Sequence, residues 1–171
     1  MPSWSMTTLL KLWNHIMDIR RNEKSALPAF AALNVAWIEE LHTLEPSDIY
    51  MRDYPESYTQ GNNVVFSIHI DGNVAGVCAL KQDDDGAYEL TKMAVDARYR
   101  GQGLGQVLMD TVETYAREDL ALERIYLLSN SNANDTAIRL YKRAGWRVIH
   151  EGKHPQYARC NIGMEKVFAP R

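Results

Sequence analysis

The sequence predicts a single mixed α/β domain, and three observations lead to that prediction. Strand-like runs and helix-like apolar spacing follow one another in the order strand, helix, three strands, helix, strand, helix, two strands. The chain has 171 residues, enough for one core, and neither a repeat nor a linker-like stretch divides it. Its composition, 46% hydrophobic and 24% charged, is that of a globular protein.

The first predicted elements come before residue 60. A strand is expected over 16–20, and Ser25 is the predicted N-cap of a helix that ends near residues 42–43. Because proline interrupts regular structure, Pro46 and Pro55 predict only short turns after that helix. The other predicted strands are Val64–Ile70, 74–80, Tyr88–Val95, 124–128, 146–150 and 160–167, and the other predicted helices are 103–118 and 134–144.

Bulk properties argue against two classes of function. The formal net charge of −3 lacks the basic excess typical of nucleic-acid-binding proteins. No stretch approaches the roughly 18 apolar residues of a membrane span. We therefore expect a cytoplasmic protein that binds neither nucleic acid nor membrane. Its folded domain is predicted over 16–171, after an N-terminal extension of residues 1–15 that is either helical or poorly ordered.

The cysteines and the acidic residues give no metal signal. Cys78 and Cys160 lie in apolar runs that are typical of strands, so we expect two buried, reduced thiols. Asp83, Asp84 and Asp85 precede a glycine, a pattern typical of a solvated turn. No distal carboxylate accompanies this triplet, and we predict no bound metal.

A run of alternating glycines provides the main functional signal. Gly101, Gly103 and Gly105 lie between a predicted strand and a predicted helix. Glycine permits a positive φ and the close approach of a ligand, while free amides at a helix N-terminus bind phosphate oxygens. The run predicts a pyrophosphate cradle, although a turn that serves only packing has the same pattern.

Two nucleotide-binding motifs fit this run poorly. A P-loop ends in Gly-Lys-Ser or Gly-Lys-Thr, whereas Gln106 and Val107 follow Gly105 here. A dinucleotide fold requires G-x-G-x-x-G, and the third glycine here comes one position early.

Three segments together resemble one family. Residues 100–105, Arg-Gly-Gln-Gly-Leu-Gly, look like the (Q/R)-x-x-G-x-G/A signature of the GNAT (Gcn5-related N-acetyltransferase) family. Tyr88–Val95 resembles the strand before that signature. Residues 134–146 resemble the family's N-x-x-A-x-x-x-Y-x-x-x-G-F segment, with Trp146 in place of the usual Phe. The resemblance implies an acyl-CoA N-acyltransferase fold, with a mostly antiparallel, twisted sheet of about six to seven strands between helices.

The resemblance also implies a cosubstrate, acetyl-CoA, and the residues that hold it. The main chain of the strand would pair with the pantetheine amides, and the glycine run would hold the pyrophosphate. Asn134 would bind the pantetheine arm or only cap its helix, and Arg100 would bind phosphate or only occupy a solvated turn. The implied coenzyme-binding residues are Met93, Ala94, Val95, Arg100, Gly101, Gln102, Gly103, Leu104, Gly105, Asn134 and Tyr141.

Two residues are candidates for proton transfer. An alkylamine is mostly protonated at neutral pH, so a base must remove a proton before the amine attacks a thioester. Glu89 matches the position of a catalytic glutamate in some branches of the family, and strand alternation would place Thr91, Met93 and Val95 on its face. Tyr141 matches the family tyrosine that donates to the coenzyme sulfur. The alternatives are a structural carboxylate and a core tyrosine.

The acceptor is the least determined part. Asn34 and Trp37 on the first helix and Arg159 before the last strand are candidate acceptor contacts, and a guanidinium could bind an acceptor carboxylate. A small-molecule amine, an amino acid or a peptide would fit, with direct transfer in a ternary complex. The alternatives are a protein N-acetyltransferase and a non-catalytic acyl-CoA-binding regulatory module. A homodimer is possible.

Overall fold

A seven-stranded mixed sheet forms the centre of the molecule. The computed structural model describes residues 17–170, and the predicted N-terminal extension lies outside the described residues. The strand order is β1-β2-β3-β4-β5-β7-β6, and every neighbouring pair is antiparallel except β4 and β5. The strands are β1 (Met17–Arg21), β2 (Val64–Ile70), β3 (Asn73–Gln82), β4 (Tyr88–Val95), β5 (Arg124–Ser129), β6 (Arg147–Glu151) and β7 (Ile162–Val167). The predicted fold class is confirmed.

Helices cover both faces of the sheet. They are α1 (Leu27–Leu41), α2 (Pro46–Asp53), α3 (Leu104–Thr114) and α4 (Asp135–Arg143), and a π-helical turn, Tyr115–Asp119, continues α3. Phe30 and Met51, both fully buried, belong to the core on the face of α1 and α2. Leu108 and Ile138 belong to the larger core on the face of α3 and α4. Among the described residues, no helix combines the length and the apolar character needed to cross a bilayer.

The prediction of short turns after α1 was wrong at Pro46. Proline fixes φ and lacks only an N–H that the first turn leaves unused, so it starts helices as readily as it interrupts them. The Glu45 carboxylate accepts from the main chain of Asp48, and the Asp48 carboxylate accepts from the Glu45 N–H at 2.8 Å, which forms a capping box. Ser25 is likewise not the N-cap of α1, because it lies within a 3₁₀ turn that Glu23 caps and Ala26 precedes the helix.

A β-bulge in β4 changes which residues share a face. Val77 and Ala79 of β3 pair with Ala94 and Thr91 of β4, so β4 carries one extra residue between these pairs. Lys92 lies in this bulge with a φ of 53°. After the bulge, Met93 and Val95 pack on the core that holds Tyr88 and Leu90, and Ala94 packs on the opposite core. The predicted common face of Glu89 with Met93 and Val95 was therefore wrong.

The two cysteines are both free, but they differ in their surroundings. Cys78 is fully buried in β3, as predicted. Cys160 is half-buried and precedes β7, which begins at Ile162, so its predicted place in a strand was wrong.

Candidate active site

The parallel strands β4 and β5 separate almost as soon as they meet. Their only paired position in the described chain is Glu89 with Tyr126. Beyond this pair the strands enclose a cavity of about 170 Å³, which α1, α4 and the loop before β7 also line. The β4 main chain facing β5 therefore lacks a strand partner at Met93, Ala94 and Val95. An extended ligand with amide groups could pair with that edge as an added strand.

Glu89 lies at the point of divergence and lines the cavity. Burial raises the pKa of its carboxyl, and the positive charges of Lys81 and Lys92 oppose this effect only in part. A carboxylate with a raised pKa is a better proton acceptor near neutral pH than an ordinary surface glutamate.

Tyr141 approaches the same cavity from α4. Its ring packs in the core at 5.9 Å from the Trp146 ring, and only 7% of the residue is exposed. Burial raises the pKa of its phenol to about 12, so the hydroxyl keeps its proton at neutral pH. No described residue forms a hydrogen bond with that hydroxyl. Tyr141 therefore packs in the core and also keeps a hydroxyl that is available to donate a hydrogen bond to a ligand.

Asn134 occupies the N-cap position of α4, but its side chain makes no capping hydrogen bond. The residue lines the cavity instead. The preceding loop is held by Asn130, whose side chain accepts from Ala133 N–H at 3.0 Å and donates to the Arg159 carbonyl at 2.7 Å. The amide of Asn134 is therefore available to a ligand.

The glycine run forms the turn before α3. Gly101 and Gly103 have φ values of 76° and 81°, and a Cβ on either would find nothing within 4 Å. Gly103 is the N-cap of α3, so the amides of Gly103, Leu104 and Gly105 lie at a helix N-terminus beside open space. Gly105 differs, because a Cβ there would lie 3.5 Å from Leu140 on α4. Gly101 and Gly103 thus set the backbone of a candidate phosphate cradle, whereas a Cβ at Gly105 would make only an ordinary van der Waals contact.

Arg100, beside this run, is already engaged. Its Nη atoms lie 3.2 Å from the Glu40 carboxylate, and its Nε donates to the Val95 carbonyl at 3.3 Å. The side chain is 43% exposed, so the ion pair with Glu40 is weak and open to exchange with a phosphate.

A substitution at Gly103 tests the cradle. Gly103→Ala is expected to weaken coenzyme A binding about tenfold, because a left-handed alanine distorts the amides that meet phosphate. The measurement is titration calorimetry with coenzyme A. Gly61→Ala is the matched control, since Gly61 has a φ of 59° with nothing within 4 Å and is not at the N-terminus of α3. Both variants should lose about 1 kcal/mol of stability, and equal coenzyme affinities would contradict a cradle at Gly103.

The three predicted acceptor contacts, Asn34, Trp37 and Arg159, all line the cavity. Asn34 is buried, and its amide donates to the Phe30 carbonyl at 2.9 Å. Trp37 is half-buried. Arg159 binds the buried carboxylate of Asp48 through both Nη atoms, at 2.6 and 2.7 Å.

Comparison with known proteins identifies the family of this chain. The model of the acetyltransferase (GNAT) family matches residues 15–146, which is most of the chain. The chain belongs to the GNAT family.

Solved structures share the fold of this GNAT domain. An acetyltransferase of the GNAT family from Staphylococcus aureus Mu50 superposes with a TM-score of 0.75 at 20% identity, covering 88% of this chain and 98% of its own. Spermidine N-acetyltransferase from Vibrio cholerae, in complex with CoA and spermine, gives a TM-score of 0.69 at 18% identity, with coverage of 90% and 96%.

Curated relatives match a shorter stretch. N-acetylaspartate synthetase from Rattus norvegicus is 30% identical over 106 residues, which is 61% of this chain and 35% of the relative. The protein of the same name from Homo sapiens is 29% identical over 106 residues, 61% of this chain and 34% of its own. The aligned region spans about a third of the length of these relatives.

Sequence reasoning missed Lys92, which lines the cavity of this GNAT domain, and Asp48, which is buried behind it. Asp48 follows a Glu-Pro-Ser run, and proline at the first helical position with an acid two residues later is a helix-start signal that could have revealed it. Lys92 had no such signal, because its position depends on the bulge in β4. Among residues 17–170, no group of three or more His, Cys, Asp or Glu side chains is arranged to hold a metal ion.

Proposed function

We propose that this protein is an N-acetyltransferase that moves an acetyl group from acetyl-CoA to the primary amine of a small molecule, by direct transfer. The observation that carries the proposal is the shared cavity between β4 and β5. Glu89 lines it from β4 and Tyr141 from α4. The helix N-terminus after the glycine run lies outside this lining and offers main-chain amides of the kind that bind phosphate.

The residues present fit acetyl-CoA. The unpaired edge of β4 suits pantetheine amides, Asn134 offers a free side-chain amide, and the α3 N-terminus at Gly103 suits a pyrophosphate. Acetyl-CoA, when bound, supplies a thioester whose carbonyl carbon the amine attacks.

Glu89 and Tyr141 divide the proton transfers between them. Glu89 accepts the proton that the acceptor ammonium loses, directly or through a water, so that the nitrogen lone pair can form the new C–N bond. Tyr141 donates its hydroxyl proton to the sulfur as the C–S bond breaks, and the second proton that the nitrogen loses as the amide forms returns to the Tyr141 oxygen, directly or through a water. The transfer requires neither an enzyme nucleophile nor a metal.

Relatives support an amine as the acceptor class. The bacterial neighbours include spermidine N-acetyltransferases, and the mammalian relatives are N-acetylaspartate synthetases, whose names imply two chemically different amines. Cytoplasmic localisation and a homodimer remain predictions from the sequence.

An amine panel tests the proposed function. The purified protein is mixed with acetyl-CoA and with amines, amino acids or peptides, and free thiol is measured. We expect acceptor-dependent thiol release. Tight coenzyme binding with no release on any acceptor would indicate a non-catalytic acyl-CoA-binding module instead.

Removing the Tyr141 hydroxyl tests the assigned acid. Tyr141→Phe is expected to lower kcat by roughly 10²-fold, because the departing thiolate loses its proton donor. Tyr88→Phe is the matched control, since Tyr88 is also buried in the core but does not line the cavity. Steady-state kinetics with saturating acetyl-CoA measures both variants. Equal kcat values would leave Tyr141 only its packing role.

A further inference from the structure

A buried carboxylate holds two cations at the wall of the cavity. Asp48 is fully buried and accepts from Lys92 Nζ at 2.7 Å as well as from both Nη atoms of Arg159. The Lys92 and Arg159 side chains are 12% and 19% exposed, and both residues line the cavity. Asp48 therefore lies behind Lys92 and Arg159, and these two cations face the cavity.

Three separate segments of the chain build this cluster, which we name the Asp48–Lys92–Arg159 cluster. Asp48 comes from the first turn of α2, Lys92 from the bulge of β4, and Arg159 from the loop before β7. Lys92 adopts a left-handed conformation there, with a φ of 53°. The bulge thus places an ammonium group on the wall that Glu89 also lines, three residues earlier in the same strand.

The cluster retains charge and hydrogen-bonding capacity. Asp48 carries one negative charge against two positive charges. An arginine side chain has about five N–H donors, of which Asp48 engages two in Arg159. A lysine has about three, of which Asp48 engages one in Lys92. Arg159 Nε has no hydrogen-bond partner among the described residues. Asp48 orients the cations without neutralising both of them.

The other Asp, Glu, Lys and Arg side chains that line the cavity are Glu45, Glu89 and Lys81. Glu45 Oε2 lies 4.0 Å from Arg159 Nη1, a long contact. Glu89 lines the cavity but forms no ion pair with Lys92 or Arg159, whose ion-pair partners among the described residues are Asp48 and Glu45. Lys81 adds a further cation, which lies over the Tyr58 ring at 5.5 Å. A polycationic acceptor would meet like charges here, whereas an anionic group would meet fixed N–H donors.

We propose that the acceptor is an amine that carries a carboxylate, and that Lys92 and Arg159 bind this carboxylate while the amine lies beside Glu89. Asp48 is then a positioning residue that acts through both cations. The inference rests on the proposed N-acetyltransferase activity and adds the chemical class of its acceptor.

Matched acceptor pairs test this class. Glycine, β-alanine and γ-aminobutyrate are each compared with the amine that lacks only the carboxylate, namely methylamine, ethylamine and propylamine, and spermidine serves as a polycation. We expect the wild-type kcat/KM to favour at least one amino acid over its amine by about tenfold or more, as a charge-assisted hydrogen bond would. Wild-type turnover that favours the amines or spermidine would overturn the inference alone. No turnover of any acceptor would overturn the proposed function and the inference together.

Variants of the two cations assign the carboxylate contact. Arg159→Gln and Lys92→Gln are each expected to lower the amino-acid-to-amine ratio of kcat/KM about tenfold. A loss of folded enzyme lowers kcat/KM equally for the amino acid and for the amine. A residue with only a structural role would therefore leave their ratio unchanged. Arg20→Gln is the control, because Arg20 pairs with Asp18 on β1 and does not line the cavity. An unchanged ratio in both cation variants would overturn the inference.

Discussion

Glu89→Gln is expected to lower kcat/KM by about 10²- to 10⁴-fold, the usual contribution of a positioned general base. The amide has nearly the same size as the carboxyl, so packing is preserved and only proton acceptance is lost. Steady-state thiol release with acetyl-CoA and the best acceptor measures the effect. Glu89 lines the cavity beside the diverging strands, and its raised pKa suits a general base.

The pH profile separates a base from a structural carboxylate. Burial raises the pKa of Glu89 above its ordinary value, and only the ionised form accepts a proton, so wild-type kcat/KM should climb as pH rises through that raised pKa. In the Glu89→Gln variant this rise in kcat/KM should disappear. The only rise left should come from deprotonation of the acceptor ammonium.

Glu113→Gln is a matched control for Glu89→Gln. Burial also raises the pKa of Glu113, which accepts from Trp146 Nε1 at 2.7 Å but does not line the cavity. Glu113→Gln should keep the wild-type pH profile of kcat/KM. If Glu89→Gln kept it as well, Glu89 would not be the base.

Asp48→Asn is expected to lower the free energy of unfolding by about 3–5 kcal/mol, because it removes the carboxylate that hydrogen-bonds both partly buried cations. For a domain of this size that corresponds to roughly 6–20 °C in Tm. Urea denaturation and thermal melting measure the loss. Asp53→Asn is the control, since Asp53 is 47% exposed and pairs with Arg52 on the surface, and it should change stability by less than about 1 kcal/mol.

The destabilisation by Asp48→Asn should depend on pH. Burial alone would raise the pKa of Asp48, but the hydrogen bonds from Arg159, Lys92 and the Glu45 N–H outweigh burial and hold it far below its ordinary value. A depressed folded-state pKa stabilises above the unfolded value of about 3.9 and loses this contribution as pH falls. The stability difference between wild type and Asp48→Asn should therefore be constant near neutral pH and shrink below about pH 4. A difference that grew in acid would contradict this sign.

Local signals carried most of what the sequence could predict. The glycine run determines its own backbone, because positive φ at Gly101 and Gly103 is a property of glycine, and its location before α3 follows from helical spacing alone. The strands β2 and β4 were found at their exact bounds because their apolar runs are long and bordered by turns.

What the sequence left out depends on contacts between distant segments. Asp48 and Arg159 are far apart in the chain, and no periodicity relates them. The bulge at Lys92 exists because β3 and β4 pair out of step by one residue, which a single strand does not encode. The helix start at Pro46 is the exception, because its capping residue Asp48 lies two residues away and is a local signal.

The single paired position between β4 and β5 has a mechanical consequence. The seven strands form two hydrogen-bonded panels, β1–β4 and β5–β7. The boundary between β4 and β5, here called the seam, has one paired position. Side chains bridge the seam instead: Tyr126 to Asp83 at 2.8 Å, Trp146 to Glu113 at 2.7 Å, and Arg159 to Asp48. The width of the groove thus depends on these bonds and on the core shared by the two panels, and not on a main-chain ladder, so substitutions at the seam are expected to change the size of the acceptor while the ladders within each panel stay paired.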